Sequence, residues 1–461
     1  MGEIRILSPT AILGYGFPGE SFEAGLRYDP HMIAVDAGSS DPGPYYLGAG
    51  VSFTDREAVK RDLRLILKAG CDRNIPVVIG SAGGAGARPH VTWTRDIILE
   101  IAREENLRFN QAVIYADIDL KILRDALGSH RLEALDLDRA LTRDHLETTT
   151  HVVAQMGMEP VMKALAAGAN VVLAGRCYDP AVFAALPVLR GFDPGLALHM
   201  GKILECAAIA CSPGSGSDCL LGVLEGRSFW LRAPSRARRC TVTSVAAHTL
   251  YEKSDPMRLP GPGGVLDLTG TSFEQIDDYT VRVSGSRHTV EPYTVKLEGA
   301  KRVGYRTVCI AGARDPIFID KVDEIAEGVQ RRVADNFRDV PSHSYRLLFR
   351  FYGRDAVLQG REHVPAAKAH ELGIVIEAVA RTQELANTIC SFARSTMLHH
   401  GYSGRVSTAG NLAFPYSPSD FQTGEAFEFS VYHRLNVDDP CALFPIHFET
   451  VDYRLPMGVA G

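Results

Sequence analysis

The chain has 461 residues, is 46 % hydrophobic and 23 % charged, and carries a formal net charge of −6. That length is a soft prior for two to three domains, and the composition is ordinary for a globular chain with ample apolar material for a core. No Lys/Arg-rich run is present, which argues against nucleic acid or an anionic membrane surface as a partner.

The opening "MGEIRILSPTAILGYG" has one early arginine but no apolar core followed by a cleavage site, so it does not read as a signal peptide. Ile6 stands where a myristoylation motif requires Ser or Thr. No stretch approaches the length needed to span a bilayer. The nine cysteines are scattered, with no CxxC pair and no zinc-type Cys/His spacing. Reduced thiols in a cytoplasmic protein are the expectation.

Through the first half, short apolar runs alternate with helical patterns. "EIRILS" (3–8), "MIAVDAG" (32–38), "PVVIGSAGG" (76–84), "AVIYADI" (112–118) and "NVVLAG" (170–175) read as buried strands. Between them, "DREAVKRDLRLILKAG" (55–70) and "WTRDIILEIAREEN" (93–106) have helical periodicity, and "EPVMKALAAG" reads as a helix ended by Gly168. Apolar runs separated by helices predict a doubly wound, mostly parallel α/β sheet over residues 1–215. Residues 216–300 change character. "CLLGVL", "SFWLRA", "RRCTVTSVAAHTL", "GVLDL" and "YTVRVSGS" read as short strands of a β-rich insert or subdomain. In 301–461 the pattern is strand (301–312), helix (317–337), two strands (344–353 and 371–381), helix (382–400, Thr382 as cap) and strand (426–434). That β-α-β-β-α-β order predicts a ferredoxin-like α+β domain with a C-terminal tail.

In a doubly wound sheet, ligands bind where loops leave the carboxyl ends of the strands. Those ends are rich in Gly, Asp, Ser and Arg here. "GSAGGAGARPH" (80–90) offers Ser81, Gly83, Gly84 and Gly86 as backbone donors and Arg88 as a charged one, which suits an anion. It lacks both GxxxxGK[ST] and a tidy GxGxxG, so no nucleotide cofactor is expected, and close packing alone would also explain the glycines. "DAGSSDPGPYYLG" sets Asp41 and Tyr45 on a loop stiffened by two prolines, with a solvated turn as the plain alternative. "AGRCYDPA" puts Arg176 and Asp179 after a buried strand, as a carboxylate fork or as an ion pair with each other. "ALHMGKILECAAIAC" (197–211) reads as a helix with His199, Lys202 and Cys206 on one face and Glu205 in reach of Lys202. Lys202 is a candidate base or electrophilic anchor; the bland reading is a surface Lys–Glu pair and a core Cys. "SVAAHTLYEKSDP" brings His248, Tyr251 and Glu252 together, as an acid/base pair or as a satisfied core histidine beside a surface acid. One His and one Glu do not make a metal site. Arg405, Ser407, Thr408 and Asn411 lie on a long irregular loop and form either a second polar wall or a connector.

"DAGSSDPGPYYLG", "IGSAGGAGARPH", "AGRCYDPAVFAA", "MGKILECAAIACSPGSGSDCLLG" and "TSVAAHTLYEKSDPMRLPGPGG" resemble stretches of the acyclic terpene utilisation, AtuA-like, family. The resemblance runs from about residue 5 to 435. It implies a cytoplasmic catabolic protein of a pathway that proceeds through CoA thioesters. It carries over no catalytic residues.

The functional expectation is a lyase of the hydratase or dehydratase type acting on a small carboxylate or its CoA thioester. Such chemistry needs an anion clamp, a base and enolate stabilisation. Asp41, Lys202, His248 and Glu252 are the candidate catalytic groups. Ser81, Gly83, Gly84, Gly86, Arg88, Arg176, Asp179 and Tyr45 are the candidate substrate-binding groups. Two alternatives stay open: a hydrolase of an amide or thioester, although no GxSxG elbow is present and "GSGSD" (214–218) is a poor substitute, and a non-catalytic metabolite-binding or assembly subunit. Self-association into a homo-oligomer is expected only by analogy with other large α/β proteins.

Overall fold

The structure is a computed structural model and describes residues 2–135, 141–364 and 369–454. It is a mixed α/β chain of two compact units. One takes the chain up to Lys301 and again from Phe429 onward; the other is Arg302–Glu428.

The first unit is built on a ten-stranded sheet. Its middle is parallel, in the order Glu3–Ser8, Met32–Asp36, Val77–Gly80, Val171–Ala174, Arg108–Ile114. Every residue of Met32–Asp36, Val77–Gly80 and Val171–Ala174 is buried, as befits strands covered on both faces. The pleat divides them between two cores. Ile6 and Val78 join one with helices Asp179–Leu189 and Pro194–Leu204, whereas Leu7, Val77 and Ile79 join the other with helices Arg56–Arg73 and Arg88–Glu104.

Antiparallel strands extend this centre on both sides. Ile446–Asp452 pairs with Arg108–Ile114. On the far side come Leu220–Glu225, Ser228–Arg232, Thr280–Ser284 and Ser272–Asp277. The sheet is therefore mixed, not mostly parallel, and strands expected in a separate β-rich insert complete it. The physical reason is the hairpin: Leu220–Glu225 and Ser228–Arg232 are joined by Gly226 and Arg227, with Gly226 at φ +57°, and so short a turn permits only antiparallel pairing. Three further strands, Arg258–Gly261, Gly264–Asp267 and Arg287–Val290, form a small sheet of their own.

Two local expectations change. "RRCTVTSVAAHTL" is not a strand: Val242–Leu250 is a helix. Thr241 accepts from Ser244 N at 3.0 Å and Ser244 Oγ accepts from Thr241 N at 3.1 Å, and this reciprocal cap outweighs the β-branched residues. "ALHMGKILECAAIAC" is not one helix either. Pro194–Leu204 stops before Cys206, and a 3-10 turn, Ala207–Ala210, begins at Ala207 with φ +46°. Glu205 and Cys206 thus sit at a break, not on a continuing face.

In the second unit, Tyr345–Tyr352, Leu372–Ala380 and residues 305–313 of the long strand Thr294–Ala313 pair antiparallel in that order. Helices Val322–Asn336 and Gln383–His399 supply Val329, Val333, Ile389 and Ala393 to a core shared with Cys309, Ile374 and Ile376. Thr382 caps the second helix by accepting from Leu385 N at 3.2 Å. Among the described residues, no helix is long and apolar enough to cross a membrane.

Candidate functional site

In the first unit, a cavity of about 200 Å³ is lined by Asp179, Lys202, Glu205, Lys253, Lys296 and Arg434, with Tyr178 and Gln155 among its other walls. Its charged residues arrive from distant parts of the chain.

Arg176 and Asp179 leave the carboxyl end of Val171–Ala174. Glu298 and Lys296 come from the strand beginning at Thr294, where alternation puts Val295 and Leu297 on one side and this pair on the other. Arg176 Nε donates to Glu298 Oε2 at 2.9 Å, and its Nη1 donates to Asp179 Oδ1 at 2.8 Å, Ser81 Oγ at 3.1 Å and Cys177 O at 2.9 Å. Lys296 Nζ lies 2.8 Å from Glu298 Oε1. Burial pushes the Glu298 carboxyl up, but Arg176 and then Lys296 outweigh it and hold the group at about 2. This arm is a row of alternating charge, buried at Arg176 and Glu298 and half-buried at its ends, Asp179 and Lys296.

The second arm starts at the C-terminal end of helix Pro194–Leu204. Lys202 Nζ is 3.1 Å from Glu205 Oε1 and 3.5 Å from Glu252 Oε2, and it stands 4.4 Å from the centre of the Tyr251 ring. Burial works against the ammonium, yet Glu205 and Glu252 keep Lys202 above its ordinary range. Glu205 behaves differently. Burial pushes it up to about 8; Lys202 pulls it back and Asp179 adds to the rise. Asp179 is itself raised by burial, with Arg176 opposing.

Charge therefore alternates along each arm, and both arms reach the cavity wall with a carboxyl, Asp179 from one and Glu205 from the other, the Asp179 charge raising Glu205. Behind them Asp36 is buried and well above the usual carboxylate range, through burial first and Asp179 next, and its Oδ1 has no partner among the described residues. Burial and the Asp179 charge together favour the protonated form of Glu205. Three non-glycine residues beside these groups hold left-handed backbone: Ser81 (φ +48°), Ala207 (+46°) and Glu252 (+71°). Such strain gathers where the surroundings over-determine a side chain's position.

The structure brings together Ser81, Arg176 and Asp179 in one arm and Lys202 and Glu252 in the other. His248 sits nearby on the helix Val242–Leu250, its ring tilted on Tyr251 with centroids 4.6 Å apart. Burial and the Lys202 charge hold His248 down at about 3, so it is neutral, and its Nε2 has no partner among the described residues. Asp41 is exposed and accepts from Ser39 Oγ at 2.7 Å; only its charge reaches Asp179. The Tyr45 ring meets the Tyr46 ring edge-on at 5.4 Å.

The glycine loop is occupied by the fold. Ser81 N donates to Gly175 O, Gly84 N to Ser81 O and Gly86 N to Ala82 O. A Cβ on Gly86 would stand 2.2 Å from Arg176 N, and one on Gly83 would stand 2.9 Å from His90 Cβ. The loop's closeness to Gly175–Arg176 is what sets Ser81 beneath the guanidinium. Arg88 is exposed, with its guanidinium 4.0 Å above the Tyr115 ring and its backbone N–H donating to Asp117 Oδ1 at 2.9 Å. In the "GSGSD" loop, Ser217 Oγ donates to Tyr15 O and Asp218 accepts from Arg238 Nε at 2.8 Å. Among the described residues no three His, Cys, Asp or Glu side chains are grouped to hold a metal ion.

Sequence reasoning did not select Glu298, Lys296, Lys253 or Arg434. One signal was present: in "TVKLEG" a Lys and a Glu share the face opposite Val and Leu of a buried strand, and a charge in such a place needs a partner.

Residues 56–216 and 224–418 match the family model described as acyclic terpene utilisation family protein AtuA, so the chain belongs to that family. No curated protein and no solved structure matches it.

Proposed function

We propose that this protein is a lyase of the hydratase/dehydratase type acting on a small carboxylate or the acyl end of its CoA thioester, with its reaction centre at the cavity wall that Asp179 and Glu205 line. One observation supports this above the others: Glu205 lies 3.1 Å from a buried Lys202 on the wall of a cavity also lined by three other cations, where burial pushes its carboxyl up to about 8. A carboxyl near neutrality can both accept and give a proton. In dehydration, ionised Glu205 takes the proton from the carbon next to the carbonyl. Lys202 faces the negative charge that develops on the carbonyl oxygen. Protonated Glu205 then gives that proton to the departing hydroxyl, which leaves as water, while Asp179, paired with Arg176, keeps Glu205 near neutrality. Hydration runs the same steps backward. Lys253, Lys296 and Arg434 draw the anionic substrate in. A cavity of about 200 Å³ admits a short acid or acyl chain and nothing of drug size. Membership of the terpene utilisation family supports a catabolic role.

The test is proton exchange. Hydroxy acids, unsaturated acids and their CoA thioesters are incubated with the protein in D2O and followed by NMR. The wild type should exchange the proton next to the carbonyl of one of them. Glu205→Gln should slow that exchange by roughly 10²–10⁴-fold. Exchange that survives both Glu205→Gln and Asp179→Asn removes this reading. Tight binding with no exchange by the wild type would make the protein a metabolite-binding subunit.

A further inference from the structure

Cys211 and Cys240 lie outside the charge network, and the proposed chemistry does not use them. Beside them, Ser212 and Arg239 form an antiparallel bridge and exchange both backbone hydrogen bonds, Ser212 N to Arg239 O at 2.8 Å and Arg239 N to Ser212 O at 3.1 Å. The next residues along, Cys211 and Cys240, are therefore the non-hydrogen-bonded pair, the position where facing Cα atoms come to about 4.5 Å and side chains are closest. A disulfide spans Cα separations of about 4.4–6.8 Å. The two Sγ atoms already stand 3.8 Å apart. Both thiols are buried, but the adjoining Ser212, Pro213 and Arg239 are exposed, so one thin layer separates the pair from solvent.

We propose that Cys211 and Cys240 are a redox-modification site that closes to a disulfide by exchange with a small-molecule disulfide such as oxidised glutathione. The Cys211 thiolate, the less deeply buried of the two, attacks one sulfur of glutathione disulfide, forms a mixed disulfide and releases one glutathione thiolate. Cys240 Sγ then attacks Cys211 Sγ and releases the second. Two protein thiols lose two electrons and two protons; one glutathione disulfide gains them and leaves as two glutathione thiols. The neighbouring Cys240 thiol and burial push the Cys211 thiol well up, so the first step is slow.

The bond joins two segments that flank Lys202. Cys211 closes the turn that follows Glu205 and Cys206. Cys240 precedes Thr241, the cap of the helix that leads to Tyr251 and Glu252. Closure ties together positions 29 residues apart and holds the Tyr251–Glu252 wall against Lys202.

The experiment uses the full chain, incubated overnight in graded glutathione redox buffers, quenched with an alkylating agent and mapped by peptide mass spectrometry. The expected result is one intramolecular crosslink, 211 to 240, formed at a lower fraction of oxidised glutathione than any other pair. It should be accompanied by a rise in Tm that dithiothreitol reverses. Cys211→Ser and Cys240→Ser should each remove both effects, and Cys71→Ser should remove neither. The mapping needs no variant, so a poorly folding mutant does not spoil it. A wild type that keeps both thiols free, stops at a mixed disulfide or crosslinks another pair first overturns the proposal.

Discussion

Lys202 Nζ stands 3.1 Å from Glu205 Oε1 with the ammonium 1 % exposed, and still the carboxyl is pushed up to about 8. On a surface, a neighbouring lysine pulls a glutamate down. Burial, with Asp179 adding to it, reverses the sign. The folded pKa is above the unfolded one, so this group's contribution is full below about pH 4.5 and is lost as pH rises through about 8. Glu205→Gln removes that dependence. Its stability relative to wild type should improve by at least about 1 kcal/mol between pH 5 and pH 8, read from urea denaturation at each pH. A constant difference across that range would contradict the assignment.

His199 and His248 have the opposite effect. Burial, with Lys202 adding to it, holds both at about 3, and His199 Nε2 keeps a 3.1 Å contact with Thr249 Oγ1. A base depressed in the fold lets the unfolded chain bind more protons, so stability falls as pH drops from about 6.5 toward 3. His248→Gln should flatten that acid limb, measured by thermal melts between pH 7 and pH 4. An unchanged acid limb would mean that His248 is charged in the folded protein.

Glu298 holds two cations at once, Arg176 at 2.9 Å and Lys296 at 2.8 Å, with no exposure of its own side chain. Its removal leaves buried positive charge uncompensated. Glu298→Gln should cost about 3–5 kcal/mol at neutral pH. A cost under about 1 kcal/mol would show that water reaches this arm.

The glycine loop separates packing from ligand capture. Gly86→Ala places a methyl 2.2 Å from Arg176 N at φ +68° and should cost roughly 3 kcal/mol or more. Arg88→Ala removes an exposed cation from the Tyr115 face and should cost no more than about 1 kcal/mol. If Arg88→Ala weakens binding of a substrate found in the exchange screen more than Lys253→Ala does, the anion enters at the loop and not at the cavity.

The buried parallel strands were legible because runs such as Val77-Val78-Ile79 are apolar on both faces. Sheet membership was not: that Ser228–Arg232 and Thr280–Ser284 extend the same sheet depends on pairings no local pattern encodes. The helix Val242–Leu250 was misread because its Val and Thr content favours strand, while its Thr241/Ser244 cap is a two-residue signal. Lys202, Arg176, Asp179 and Glu252 stood out as charges in apolar or glycine-rich surroundings. The pairing of Arg176 with Glu298 spans 122 positions and can be known only once the fold closes.

The most direct measurement is infrared difference spectroscopy of wild type minus Glu205→Gln, titrated from about pH 6 to about pH 9. If Glu205 is the group that holds and moves the proton beside Lys202, the difference spectrum contains a protonated-carboxyl stretch at the acid end. That band should vanish with a midpoint near pH 8 and give way to a carboxylate band. A Glu205 already ionised at the acid end, with no such band, would contradict the account.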